Sequence, residues 1–257
     1  MEFKIPLRNN EKLKALVSRI NADQELFQIW KCANINTVDR SGISDHGEVH
    51  IRIVANAALR IIRLLVKGGV EPSVVTDHGL TSEDAELIVV LSACLHDTGI
   101  SVQRAHHERY SLFIAFRKAR ELLEGIYEEP DLTTMVSETL HAIVAHEADE
   151  KCLTIEAGVL KVADATDMTE GRSRIPFEAG KVNIHSVSAQ AVDSVNIIKG
   201  EKKPVCIEIK LANSAGIFQV DELLKNKLQF SPLTPFIEVA AKIEGEMERR
   251  LFDSYKI

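Results

Sequence analysis

Leu87-Ile-Val-Val-Leu-Ser-Ala-Cys-Leu-His96-Asp97 is the stretch on which the reading of this chain turns. An imidazole and a carboxylate at the end of an apolar, helix-like run are costly unless something satisfies them. A divalent metal does so, provided other segments bring further ligands. Two segments qualify. Upstream, His50 lies in Asp45-His-Gly-Glu-Val-His-Ile-Arg-Ile-Val-Ala-Asn-Ala-Ala-Leu, where Val54, Ala58, Ile61 and Leu65 recur at helical spacing. Downstream, Asp164 is set into Thr154-Ile-Glu-Ala-Gly-Val-Leu-Lys-Val-Ala-Asp-Ala-Thr-Asp, a third apolar helical run. Two imidazoles and two carboxylates suit a borderline or hard ion: Mn, Fe, Mg, Co or Zn.

The four residues and their contexts resemble the HD superfamily of metal-dependent phosphohydrolases, whose signature is H…HD…D on an all-helical core. The matching residues are His50, His96, Asp97 and Asp164. "HIRIVANAALRI" is similar to the family's first-histidine helix, "LSACLHDTGI" to its central motif and "VLKVADATDM" to its last-aspartate helix. The resemblance covers about Asp45 to Met168. It implies a helical core, one or two divalent ions, and a small phosphorylated substrate, a nucleotide or phosphodiester.

Composition sets the surroundings. The chain has 257 residues, enough for a substantial core, and a formal charge of -7. That balance argues against bulk nucleic-acid binding or an electrostatic membrane binder. Cys32, Cys94, Cys152 and Cys206 are scattered without CxxC spacing and read as reduced thiols of a cytoplasmic protein. The N-terminus lacks the charged-then-apolar order of a signal peptide, and no apolar run reaches membrane-spanning length.

The apolar periodicity predicts one or two helices over residues 10–40, with Trp30 packed on the core, then helices near 46–67, 82–96, 107–125, 131–147 and 155–169. Gly68-Gly69 is a stop, Ser82 a cap with acids behind it, Pro130 a helix entry and Thr154 a cap. After Met168 the pattern changes. Residues 192–198 and 205–211 read as strands joined by Lys199-Gly-Glu-Lys-Lys-Pro, followed by helices near 218–229 and 235–252. The second helix is drawn from a stripe of Phe236, Ala240, Ile243, Met247 and Leu251. The expectation is a mainly α protein: an all-helical domain over 1–178 and a small α+β domain over 179–257 that carries no metal ligand and covers the core or forms a homodimer contact.

Other residues are candidates beside their bland alternatives. His46 stands one turn before His50, as an auxiliary ligand or a cap-region histidine. His107 opens a helix, whereas His106 faces water. "IVAHE", ending on His146-Glu147, is similar to a segment of the HD-GYP phosphodiesterase branch, although Ala145 replaces one of its histidines and the Gly-Tyr-Pro signature is missing. His107 and His146 are the candidates for catalysis or a second ion. His141, His78 and His185 read as ordinary histidines. Lys161, one turn before Asp164, and Arg104, Arg172 and Arg174, which follow ligand segments, suit phosphate oxygens. The expected activity is metal-dependent phosphate-ester hydrolysis. The alternatives are a ligand-binding or regulatory module on the same scaffold and a di-iron oxygenase.

Overall fold

The structure, a computed structural model, describes residues 2–168, 188–243 and 254–256. Local capping chemistry sets most helix starts. α1 (Glu11–Ala22) is capped by the Asn10 side chain, and α2 (Gln24–Asn34) by Asp23. α3 (Glu48–Lys67) ends on Gly68, with Gly69 at φ 85°, a conformation that suits a residue without Cβ. α5 (Ser82–Leu95) is capped one residue earlier than expected. Thr81, not Ser82, accepts from the Asp84 amide, while the Asp84 carboxylate accepts from the Thr81 amide. Only Thr81 stands three residues before an acid that can reach back. α6 (His107–Leu123), α7 (Asp131–Ala145) and α8 (Ile155–Ala165) follow, the last capped by Thr154.

A short helix, α4 (Ser73–His78), has no clear signature in its own residues. Its first amides, Ser73 and Val74, donate at 3.2 and 3.0 Å to the buried carboxylate of Glu156 on α8. A side chain more than eighty positions away therefore does the work of a local cap.

α5 is the central rod. Every residue from Asp84 to Leu95 except Glu86 is buried, and α1, α3, α7 and α8 pack around it. That is why its run is apolar on all sides. Trp30 on α2 is 1% exposed and donates its indole N–H to the Cys94 carbonyl at 2.8 Å, pinning α2 to the end of α5 where His96 sits.

The C-terminal region forms one sheet in the order β1-β2-β3-β4. β1 (Val192–Lys199) and β2 (Val205–Leu211) make the expected antiparallel hairpin. A π-helical stretch (Gln219–Lys225) runs into α9 (Asn226–Gln229), close to the helix expected over 218–229. The helix expected over 235–252 is corrected. Ile237–Ile243 is strand β3, paired in parallel with β2, and β4 (Ser254–Lys256) pairs antiparallel to it; residues 244–253 lie outside the described residues. Ile237, Val239, Ala241 and Ile243 alternate at period two and are buried, so the short segment fits both templates and the waiting edge of β2 selects the strand. The apolar side chains of β1, β2 and β3 join those of the helices in one core. Among the described residues, no helix is long and apolar enough to cross a membrane.

Candidate metal centre

Five helix ends meet at one place. His50 lies in the first turn of α3. His96 caps the C-terminus of α5, with Asp97 next. His107 opens α6, His146 caps the C-terminus of α7, and Asp164 lies in the last turn of α8. Helix C-termini carry carbonyls without intrahelical partners. His96 and His146 answer this locally: Nδ1 of each is bonded to the carbonyl three residues back, Ala93 at 2.8 Å and Ile143. The same bond fixes each ring so that Nε2 presents a lone pair inward. His50 is oriented by Asp167, whose Oδ2 lies 2.6 Å from His50 Nδ1. His107 Nδ1 donates to the Arg104 carbonyl at 3.1 Å.

The inward atoms form two groups that share Asp97. On one side, His50 Nε2 lies 3.4 Å from His96 Nε2, and both lie 3.3 Å from Asp97 Oδ2. Asp164 Oδ1 lies beside this group, 3.4 Å from His50 Nε2 and 3.9 Å from His96 Nε2. On the other side, Asp97 Oδ1 lies 3.0 Å from His107 Nε2 and 4.0 Å from His146 Nε2. Donors held at about 2.1 Å from a common ion stand about 3.0–3.5 Å apart in octahedral or tetrahedral arrangements, so the His50, His96 and Asp97 atoms, 3.3–3.4 Å from one another, fit an ion closely. Asp97 Oδ2 is a second sign of fit: it is buried and accepts no hydrogen bond, although two imidazole nitrogens face it. His50, His96 and Asp97 form one possible metal-binding cluster, and Asp97, His107 and His146 another.

Charge follows from the packing. Burial pushes the Asp97 carboxyl upward, but His96 beside it and contacts from His107 and His50 hold it well below the usual carboxylate range. Burial acts likewise on Asp164, and Lys227 and His50 outweigh it. Burial, reinforced by His96, keeps the His146 imidazole neutral, the form that ligates metals. His107 is shifted upward: burial opposes its protonation, but the bond to Asp97 prevails.

Lys227 and Asp167 were not anticipated from the sequence. Lys227, after the π-helical stretch, donates to Asp164 Oδ2, leaving Oδ1 for the cluster. Nothing in its local pattern marks it. Asp167 had a signal, since it follows Asp164 by three positions, roughly one helical turn.

The other candidates are placed as follows. Lys161 is fully buried; its ammonium donates to the Glu150 carbonyl and lies 5.4 Å from the Phe230 ring centroid. Arg104 is exposed, with its guanidinium 3.3 Å from His107 Nδ1. His46 is buried, with its ring 5.3 Å from that of His50 and its Nδ1 on the Ser44 carbonyl. His106 is exposed, His141 accepts from the Leu153 amide, and His78 contacts Glu138. Arg172, Arg174 and His185 lie outside the described residues.

The family model of the HD domain matches residues 48–169, the span from the start of α3 to just past α8. The chain belongs to the HD-domain family. Its HD domain thus coincides with the helices that bring the two clusters together. The chain is also 42% identical over 233 residues to Uncharacterized protein MJ1020 of Methanocaldococcus jannaschii, covering 91% of this chain and 90% of that protein. No solved structure matches.

Proposed function

We propose that this HD-domain protein is a metal-dependent phosphohydrolase acting on a nucleotide or a small phosphodiester. The observation that carries the reading is Asp97: one buried carboxylate turns one oxygen to each of two ligand groups. In this reading His50, His96, Asp97 and Asp164 hold one divalent ion, and His107 and His146 extend the site on the other face of Asp97. An ion bound there lowers the pKa of a bound water and polarises the phosphoryl group.

The chain's own residues divide the remaining work. His107, with Nε2 3.0 Å from Asp97 Oδ1 and its pKa shifted upward because burial is outweighed by the bond to Asp97, is the candidate proton donor to the leaving oxygen. His146, kept neutral by burial, offers a lone pair as a ligand or proton acceptor. Arg104 stands at the exposed side of His107 as a fork for phosphate oxygens, and Arg172 and Arg174, which follow α8 in the sequence, are proposed for the same task. Lys161, turned to the Glu150 carbonyl, is the weakest of the phosphate candidates.

The test combines metal analysis with a substrate panel. Protein stripped with chelator and reloaded with Mn²⁺ is expected to hydrolyse at least one nucleotide or phosphodiester. Asp97→Asn is expected to abolish activity and metal uptake together, because both groups lose their shared ligand. Charge removal at Arg172 or Arg174 is expected to raise KM at unchanged metal content. Metal uptake without hydrolysis across the panel would turn the reading toward a ligand-binding module; oxygen consumption by the iron form would turn it toward an oxygenase.

A further inference from the structure

Away from the metal centre, α3 carries a second polar feature. Asn56, Arg60, Arg63 and Lys67 recur at intervals of four, three and four, which places them on one stripe of a helix whose other faces are largely buried. Arg60 lies ten positions beyond His50, about 15 Å along the helix axis. A helix stripe of this kind is usually just the solvated face. Here it is walled instead. Pro6 and Arg8 of the N-terminal segment and Lys199 at the end of β1 line, with this stripe, a cleft of about 780 Å³.

The walls are fixed. A Cβ on Gly68 would lie 2.5 Å from Pro204 Cβ, so the β1–β2 turn is seated directly on the end of α3. Lys203 ties that turn down through bonds to the Thr234 and Ile237 carbonyls at 2.7 and 2.9 Å. Arg60 is oriented by its Nε bond to the Ile197 carbonyl at 2.6 Å, which leaves its terminal nitrogens to point elsewhere. Arg8 has a left-handed backbone, φ 53°, a conformation that costs energy for a residue with a Cβ.

The charges are mostly positive. Five cations line the cleft, Arg8, Arg60, Arg63, Lys67 and Lys199, against two carboxylates, Glu83 and Glu86. Glu86 is consumed by Arg63, which donates to both its oxygens at 2.7 and 2.8 Å. Glu83 is the one opposing charge. Arg8, Arg60, Lys67 and Lys199 have no ion-pair partner among the described residues, in a chain whose net charge is -7. Four cations lining one nucleotide-sized cleft, against an acidic background, suit an oligo-anion with several acceptor oxygens. We infer that this cleft binds a small phosphate-bearing anion, a polyphosphate or the phosphate tail of a nucleotide. The inference is independent of the metal-centre reading.

The test uses the full chain in excess chelator, where the carboxylates of the metal centre repel anions and no ion bridges them. Tripolyphosphate and ATP are titrated by calorimetry and thermal shift. One equivalent of at least one probe is expected to bind, with affinity falling as salt rises. Binding is expected to persist in Asp97→Asn and to weaken about tenfold or more, about 1.4 kcal/mol or more, in the Lys67→Gln/Lys199→Gln double variant, which removes two of the lining charges. Both lysines are exposed, so that variant is expected to fold; Arg60→Gln gives a second reading of the same cleft. Tighter ATP than tripolyphosphate would identify a nucleotide as the source, and equal affinities the phosphate chain alone. No binding at millimolar probe, unchanged affinity in the double variant, or loss of binding in Asp97→Asn would overturn the inference.

Discussion

Replacing Lys227 by Met removes one charge from the metal centre without touching a cluster ligand. The side chain reaches Asp164 because the segment after the π-helical stretch is docked closely on α8. A Cβ on Gly158 would lie 2.9 Å from Pro232, the Cys152 amide donates to the Phe230 carbonyl at 3.0 Å, and the Lys161 ammonium sits over the Phe230 ring. Lys227 and Asp164 are 16% and 14% exposed, so their pair is largely desolvated. Breaking a buried pair by deleting one partner costs about 3–5 kcal/mol. Asp164 keeps His50 Nε2 at 3.4 Å and some solvent contact, which lowers the expected loss to about 2–3 kcal/mol. For a chain of this size that is a fall in Tm of roughly 4–12 °C, measured on metal-free protein in chelator. Lys227→Arg is expected to lose less, since the charge stays. Added Mn²⁺ supplies the positive charge that Asp164 has lost, so the metal-induced rise in Tm is expected to be larger in Lys227→Met than in the parent. A metal-free variant melting within about 1 °C of the parent, or a smaller rise with Mn²⁺, would refute the reasoning.

Three further outcomes are expected. Burial pushes the Asp84 carboxyl up, but bonds from Lys12, Tyr127 and Thr81 outweigh it and hold it below its ordinary 3.8; its stabilisation is therefore present above that pH and lost as pH falls through the lower folded value. Asp84→Asn is expected to cost about 2–3 kcal/mol at neutral pH, with the gap to the parent narrowing below pH 3.8 in denaturant titrations. Gly99→Ala would bring a Cβ to 2.2 Å from the His107 carbonyl and 2.4 Å from the Ser111 amide, forcing α6 outward; a loss of about 1–3 kcal/mol and weaker metal uptake on the His107 side of Asp97 are expected, read by melting and metal titration. A chain ended at Gly180 would strip β1, β2 and β3 from the shared core and take Lys227 from Asp164; aggregation is expected in light scattering, and a soluble, fully active product would show the region to be dispensable.

Much of the centre was legible because its signals are local. His50, His96, Asp97 and Asp164 each interrupt an apolar helical run, and an ionisable group in such a run needs a partner wherever the helix is packed. The helices themselves follow from period and caps, which act within a few residues, as at Thr154 and Gly68. What the sequence left open depends on groups far apart along the chain. Helix propensity and strand alternation compete over Ile237–Ile243, and the edge of β2 decides between them. α4 exists because Glu156, on another helix, accepts its amides. His107 and His146 were candidates by type, but whether their nitrogens meet the same carboxylate depends on how α6 and α7 pack on α5, down to the absence of a Cβ at Gly99. Lys227 is the clearest case. One lysine among many surface lysines carries no mark in one dimension, and it becomes part of the centre only because the chain folds back over α8 and leaves its ammonium no closer oxygen than that of Asp164.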